Sequence, residues 1–456
     1  MGSLSALLSM SKSALAADQA ALSATADNIS NQNTEGYTRR SVSWSSGDTV
    51  NVRGTSTTTG VTATVVAQRD RVLQRAVQTA TEAASASSTR VTSLSSLQSL
   101  FAIGSTGEDA SGIGAAVSDF FNAATALAST PTDGTARQTM LTAAQTLASA
   151  MNRTAGQISL QSSALNQTIT SSVAQANSLA ATVASLNQQI SSASGGTSVD
   201  SLVDQRDLAV TQLSKLIDVN SIANSDGSVG LALSDGTALV TGSIALPLTT
   251  GVASGVTQIY AATSAGGANV TGAIHGGSIG GSLQVRDSDM PAVMAQLDTL
   301  AGTIAAAVNA QNALGTDAAG NPGGAIFSGS TAATLTVVAT SASAIAASPD
   351  GSNVAAIGAL QDAASIGGKT FSGAFSEMVS GLGTTAADAT TGRATDAAVL
   401  TQTTTQMEAV SGVSLDTEAL NLTQFQRSYE AAAKVLAIVN ELMAQAINLG
   451  TQTTVS

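Results

Sequence analysis

Cysteine is absent from the 456 residues, and histidine occurs once, at position 275. That excludes disulfides, thiol nucleophiles and thiolate metal sites. A metal would have to rest on carboxylates, and no Asp/Glu run has the spacing of a calcium loop, so neither metal nor cofactor is expected. Aromatic residues make up only 2% of the chain and charged residues only 10%. A core cannot then be built on large rings; it must come from Leu, Ile, Val and Ala packed along long helices. Basic residues are outnumbered, 17 against 30, for a net charge of −13. That balance speaks against nucleic acid and anionic membrane as partners, since both need a basic face. No apolar run of about 18 residues is free of polar interruption, so no membrane insertion is expected. Met1 to Met10 lack a basic segment followed by an apolar stretch and cleavage site, so any export should proceed without a cleavable signal peptide.

What is present is helical periodicity. Leu8, Leu15, Leu22 and Ile29 recur in sevens, predicting a helix over Ser3 to Ile29 that ends in the Asn31–Tyr37 turn. Short strands are expected between Ser41 and Gln68, and helices over Asp70–Phe101 and Asp109–Ser129. Thr130-Pro131-Thr132-Asp133 reads as a helix start with Thr as cap. A long helix over Arg137–Ser192 follows, then one to Ile217 opened by a Thr197/Asp200 capping box. Periodicity falls to two between Asp218 and Gly281, with turns at Asp226-Gly227, Asp235-Gly236 and Gly266-Gly267. A helix is expected over Asp289–Asn312, a short strand over Leu335–Ala339, and more helix between Asn353 and Met407. The final helix is capped by Ser414, carries Asp416 and Glu418 in its first turn, and should stop at Gly450. Leu415, Leu422, Tyr429, Leu436 and Met443 form one of its heptad series, with Phe425 and Val439 in the other. Two heptad helices at opposite ends of one chain, neither with a neighbouring partner, should pair with each other.

Asp27 to Tyr37, with Asn28, Asn31, Asn33, Gly36 and Tyr37, resembles the N-terminal box of bacterial flagellar rod, hook and hook-associated proteins. Ser411 to Glu418, with Gly412 and Asp416, resembles the matching C-terminal box, although Thr417 stands where that family usually has an acid. Three interior stretches are similar to the hook-associated protein 1 family in particular: Phe120–Ile190, Asp204-Gln205-Arg206-Asp207 with Leu213–Leu216, and Gly280–Asn309. The chain is short for that family, which puts the size of an outer domain in question. The resemblance implies a structural adaptor of the flagellum, assembling in a ring of copies between hook and filament. It implies contacts with hook protein and a second hook–filament junction protein, and an export chaperone on the C-terminal helix. It also implies an extracellular location reached by type III export.

Other readings compete. Gly276-Gly277-Ser278-Ile279-Gly280 beside His275 matches a hydrolase elbow, but the histidine precedes the serine and a Gly-rich turn before a strand explains the motif better. Gly367-Gly368-Lys369-Thr370 lacks the strand and first glycine of a phosphate loop. Arg206-Asp207 and Arg286-Asp287 read as ion pairs or caps. The box asparagines and Gly36 could meet a neighbouring subunit or simply end the helix. Alternatives to the junction adaptor are another axial component, hook or rod, and a secreted hydrolase with a helical stalk; no enzyme activity is expected. The predicted architecture is mainly α, with discontinuous nested domains. Residues 1–40 and 410–456 form the paired terminal helices, 41–217 and 283–409 the helical domain, and 218–282 a small β-rich outer domain.

Overall fold

The computed structural model describes residues 2–47, 49–52, 55–58, 60–101, 112–193, 197–263 and 266–452. Helix α1 (Gly2–Asn31) is followed by β1 (Arg40–Ser46), β2 (Thr49–Val52), β3 (Thr55–Thr58) and β4 (Val61–Ala67). β1 pairs antiparallel with β4, and β2 with β3. The β1–β4 ribbon lies against α1, where the Val61 N–H donates to Ser13 Oγ at 3.3 Å.

Helix α2 (Arg71–Ser99) is capped by Asp70, whose carboxylate accepts from the N–H groups of Val72 and Leu73. α3 spans Ile113–Ser129; Asp109, where the sequence suggested its start, lies outside the described residues. α4 (Gly134–Ser192) is 59 residues long, roughly 90 Å at ~1.5 Å per residue. Its cap is not Thr130 but Asp133, which accepts from the Thr135 N–H. Thr130 closes α3 instead, because a carboxylate one residue before the helix satisfies the free N–H more directly than a hydroxyl across Pro131. α5 spans Thr197–Ser214 and ends before Ile217. Of the expected capping box, the Thr197 side chain lies outside the described residues, and the Asp200 carboxylate pairs with Arg69 at 2.6 Å.

The β-rich part holds two antiparallel sheets. β5 (Asn220–Ala223), β6 (Val229–Ala232), β7 (Ala238–Thr241) and β8 (Ile244–Ala245) form a four-stranded meander. β9 (Leu248–Ala253), β10 (Val256–Thr263) and β11 (Gly266–Asn269) form a three-stranded one. Asp226-Gly227 and Asp235-Gly236 are turns, the glycines at φ +84° and +86°. Gly266-Gly267 is not a turn; both residues are paired in β11.

Helix α6 (Gly277–Gln284) runs through a π-turn at Val285–Asp289 into α7 (Met290–Asn312). The sequence had put a strand after the glycine cluster and a helix only from Asp289. Gly277 explains the difference: φ is +67°, and a Cβ there would fall 2.2 Å from the Leu216 carbonyl carbon. Only glycine lets the helix start dock so closely that Ser278 and Ile279 donate to the Lys215 and Leu216 carbonyls. By length and composition Gly277–Asn312 could cross a membrane, which the sequence reading had not expected. Its apolar side chains Leu297, Leu300, Ile304 and Val308 are instead buried in the protein core.

The return part contains β12 (Phe327–Ser328) paired with β13 (Thr336–Val337), then α8 (Ser352–Ala359), α9 (Phe371–Ser411) and α10 (Leu415–Gln452). Gly450 does not stop α10, which continues to Gln452; a glycine costs a helix about 1 kcal/mol but does not forbid it.

Two hydrophobic cores share α4. The first joins α3, α7, α8, the N-terminal part of α9 and the α4 stretch from Met140 to Leu165, around Phe120, Phe121, Phe327 and Phe371. Their rings contact at centroid distances of 5.1 to 5.5 Å. The second joins α4 from Ile169 to Ala184 with α5 and both β-meanders. Each Arg-Asp pair of the sequence is an ion pair, as read, and also fastens a β segment: Arg206 Nη1 donates to Gly227 O at 2.8 Å, and Arg286 Nη1 to Thr257 O at 2.7 Å.

Candidate assembly site at the paired termini

α1 and α10 pack along one another. Ser428 Oγ donates to Asp18 Oδ2 at 2.9 Å, while Arg39, beyond the end of α1, reaches Glu418 near the start of α10 at 3.1 Å. Moving back along α1 thus means moving forward along α10, so the pair is antiparallel. It forms a foot below the helical body.

The heptad residues divide. On α10, Val439 is buried and Leu422, Phe425, Leu436 and Met443 are half-buried, whereas Leu415 and Tyr429 are 48% and 38% exposed. Phe425 contacts Trp44 of β1 at a centroid distance of 6.2 Å. On α1, Leu8, Leu15, Leu22 and Ile29 are half-buried. The fully buried stripe of α1 is made of small or polar residues outside the Leu8–Ile29 heptad series: Ser11, Ala17, Asp18, Ala21, Ala24, Thr25 and Asn28. α1 has α10 and the β1–β4 ribbon as neighbours, and small side chains let both approach closely. α10 also carries a second apolar row, Leu420, Val435, Ile438 and Leu442, all exposed.

The box residues gather elsewhere, at the neck where foot meets body. Asn28 is buried, and its amide brackets one residue: Nδ2 donates to Arg40 O and Oδ1 accepts from Arg40 N, both at 2.8 Å. Tyr37 Oη donates to the same Oδ1 at 2.9 Å, and the Arg40 guanidinium sits 5.1 Å from the Tyr37 ring centroid. Burial pushes the Tyr37 hydroxyl up to about 12, against the lowering effect of Arg40, so it stays a donor. Asn31 Nδ2 donates to Asp27 O, and Asn33 is exposed. Gly36 has φ +81°, and a Cβ there would stand 3.0 Å from Leu208 Cβ on α5. Gly412 closes α9, its N–H donating to Glu408 O at 2.7 Å, and Asp416 is exposed in the first turn of α10.

Three arginines without a motif of their own complete the neck, and their acceptors are Asp204 of the Asp204–Asp207 stretch and Glu418 of the C-terminal box. The Arg39 N–H donates to Ser411 O at 2.8 Å and its side chain to Glu418. Arg40 Nη2 donates to Asp204 Oδ2 at 2.7 Å, a pair only 5% and 9% exposed. Arg69 Nη2 donates to Asp204 Oδ1 at 2.9 Å. The signal that could have found them is weak: two adjacent arginines and a lone Arg69 in a chain poor in base. Away from the neck, His275 is exposed, and no hydrogen bond among the described residues joins its side chain to Ser278.

Three family models match this chain. The flagellar hook-associated protein FlgK helical domain matches residues 94–327, the flagellar basal body rod FlgEFG protein C-terminal region 405–449, and the flagella basal body rod protein 8–38. Flagellar hook-associated protein 1 of Escherichia coli (strain K12) is 26% identical, covering 98% of this chain and 100% of its own. That alignment runs over 553 positions against 456 residues here, so the relative carries insertions that this chain lacks. The protein of the same name from Bacillus subtilis (strain 168) is 26% identical over 97% of each chain. The solved flagellar hook junction protein FlgK from Burkholderia pseudomallei superposes with a TM-score of 0.68 over 74% of this chain and all of its own; at 20% identity it shows the shared fold. With the helical-domain match spanning more than half of the sequence and rod-type segments at its two ends, the chain belongs to the flagellar hook-associated protein 1 family.

Proposed function

We propose that the chain acts by assembling as a ring of copies in which the α1–α10 foot lines the inner tube and the β-rich part faces outward. As a family member it is a structural adaptor at the hook–filament junction and belongs to the extracellular flagellum. Its working units are the foot, 1–40 with 410–456; the helical body, 41–217 with 283–409; and the outer domain, 218–282. The seam comprises Leu8, Leu15, Leu22 and Ile29 with Leu422, Phe425, Leu436, Val439 and Met443, while Leu415 and Tyr429 point to neighbours. Hook protein lies on one side of the ring and a second junction protein on the other. An export chaperone covers α10 before assembly. The observation that carries this reading is the antiparallel pairing of the two extremes of the chain, locked at the neck by the boxes the axial proteins share.

The test is a deletion strain. It should keep its hooks and shed unpolymerised filament protein into the medium. Filaments assembled normally without this chain would refute the adaptor role. Complementation with His275→Ala or Ser278→Ala should restore motility fully, since neither side chain joins the foot or the neck.

A further inference from the structure

The neck has one residue on which separate segments converge. Asp204, on α5 of the body, receives Arg40 at the start of β1 on one carboxylate oxygen and Arg69, just after β4, on the other. The Thr38 N–H also points at Oδ2, at 3.4 Å. Both ends of the ribbon excursion are therefore tied to a single carboxylate. One turn further along α5, Leu208 supports Gly36, the glycine that turns the chain out of α1. The adjacent Arg39 holds α10 through Glu418, which is 1% exposed. The dipeptide Arg39-Arg40 thus splices three parts: α1 through Asn28, α10 through Glu418 and the body through Asp204. The site has little to spare. Arg40 Nη1 and Arg69 Nε are buried without an acceptor among the described residues, and Arg40, unlike Arg69 with its Asp200, has no second carboxylate there to replace Asp204.

We propose that Asp204 is the positioning residue of the foot, fixing the direction in which the α1–α10 pair leaves the helical body and hence where the foot can meet its neighbours. The proposal rests on the foot being the assembling part. Chemically it follows from the asymmetry of the network. The foot's internal contacts, Asn28 with Arg40 and Arg39 with Glu418, survive the loss of Asp204, whereas the guanidinium that joins the foot to the body loses its carboxylate. Arg69 keeps Asp200 at 2.6 Å and stays on α5. Arg40 has no other carboxylate among the described residues and is freed to seek water. The foot then stays folded but is no longer aimed.

The absence of native cysteine makes the test direct. Spin labels on Gln19→Cys in α1 and Gln189→Cys in α4, both exposed positions, report the distance from foot to body in the full-length chain. Double electron–electron resonance should give a narrow distance distribution in the parent, at least two-fold broader in Asp204→Ala. Asp204→Glu should restore most of the narrowing. Asp298→Ala, which removes a body carboxylate away from the neck, should change nothing. Far-UV circular dichroism should show equal helicity in all four. If Asp204→Ala fails to fold, Asp204→Asn should fold and broaden the distribution, because a neutral amide of the same shape cannot hold two guanidiniums. A parent distribution that is already broad, or an Asp204→Ala or Asp204→Asn distribution as narrow as the parent's, overturns the proposal. The junction role is read separately, in the deletion strain, so its failure and this one cannot be confused.

Discussion

Glu82 on α2 is a carboxyl group held between two parts of the molecule. It is 9% exposed, its Oε1 accepts from the Val219 N–H at 3.0 Å, and the Asp218 carboxylate lies close by. Burial, assisted by the negative charge of Asp218 and opposed by the Val219 hydrogen bond, raises its pKa from 4.5 to about 7. A carboxyl whose folded value is raised binds its proton more tightly when folded. Its stabilising contribution is therefore complete below about pH 4.5 and is lost as pH rises through about 7. The chain should melt at higher temperature at pH 5 than at pH 8, with Glu82 responsible for up to about 3 kcal/mol at ~1.4 kcal/mol per pH unit. Glu82→Gln should flatten that difference. An unchanged pH slope in Glu82→Gln thermal melts would show that the slope arises elsewhere. Nothing in the sequence marked this residue. Glu82 and Val219 are 137 positions apart, and Arg40 and Asp204 are 164 apart. Pattern reading sees neighbours at three, four or seven positions; a carboxylate whose partner comes from another element leaves no local trace.

At the scale of elements, periodicity was informative where a helix has one face to bury. It placed α1, α4 and α10 because their apolar residues recur with the helical repeat, whereas α9 was foreseen only as helix somewhere between Asn353 and Met407. It misjudged α1 in detail, since a stripe of alanine, serine and threonine has little hydrophobic contrast yet packs closest. It also missed the asparagines of α4. Asn177 and Asn187 each bond the backbone of a β edge on both donor and acceptor sides, at Leu248 and Val229. On a long helix rich in Ser, Thr, Gln and Asn, nothing in the sequence sets these two apart. The α10 seam bears a prediction of its own. If a chaperone covers α10 before assembly, it must hide the side chains that later face α1. Leu436→Asp should weaken both complexes by about 2 kcal/mol or more, because a carboxylate would enter an apolar contact. Leu15→Asp should impair incorporation at hook tips, seen by electron microscopy, while calorimetry finds chaperone affinity nearly unchanged. Loss of chaperone binding in Leu15→Asp with retention in Leu436→Asp would mean that the two partners do not share a seam.

On the scale of the whole molecule, α4 is the beam that carries both cores. Its first part, Met140 to Leu165, is covered by other helices; its second, from Ile169 onward, is covered by α5 and the β-meanders. Alternation and turn residues made the β-rich part visible in sequence, but not that its strands complete a core begun by α4. The consequence is a directional dependence. A helix with few charges and many Ser, Thr and Asn residues has little intrinsic stability, so its second part must draw order from what packs on it. Replacing residues 220–274 by a short Gly-Ser link would uncover Ile169, Val173 and Val183, of which none is more than 2% exposed in the intact chain. Beyond the α4 asparagines, the body loses the Gln78 and Arg75 contacts to Ser221 and Asn220 and the arginine bonds from Arg206 to Gly227 and from Arg286 to Thr257, while the hydrogen bonds of the neck are left in place. Amide hydrogen exchange should then show protection over 169–190 falling at least ten-fold more than over 140–165, and the foot should still assemble at hook tips. An equal fall in both parts would mean that α4 opens as one cooperative unit. No fall in either would mean that α5 alone suffices to hold the beam, and that the β-meanders rest on it without supporting it.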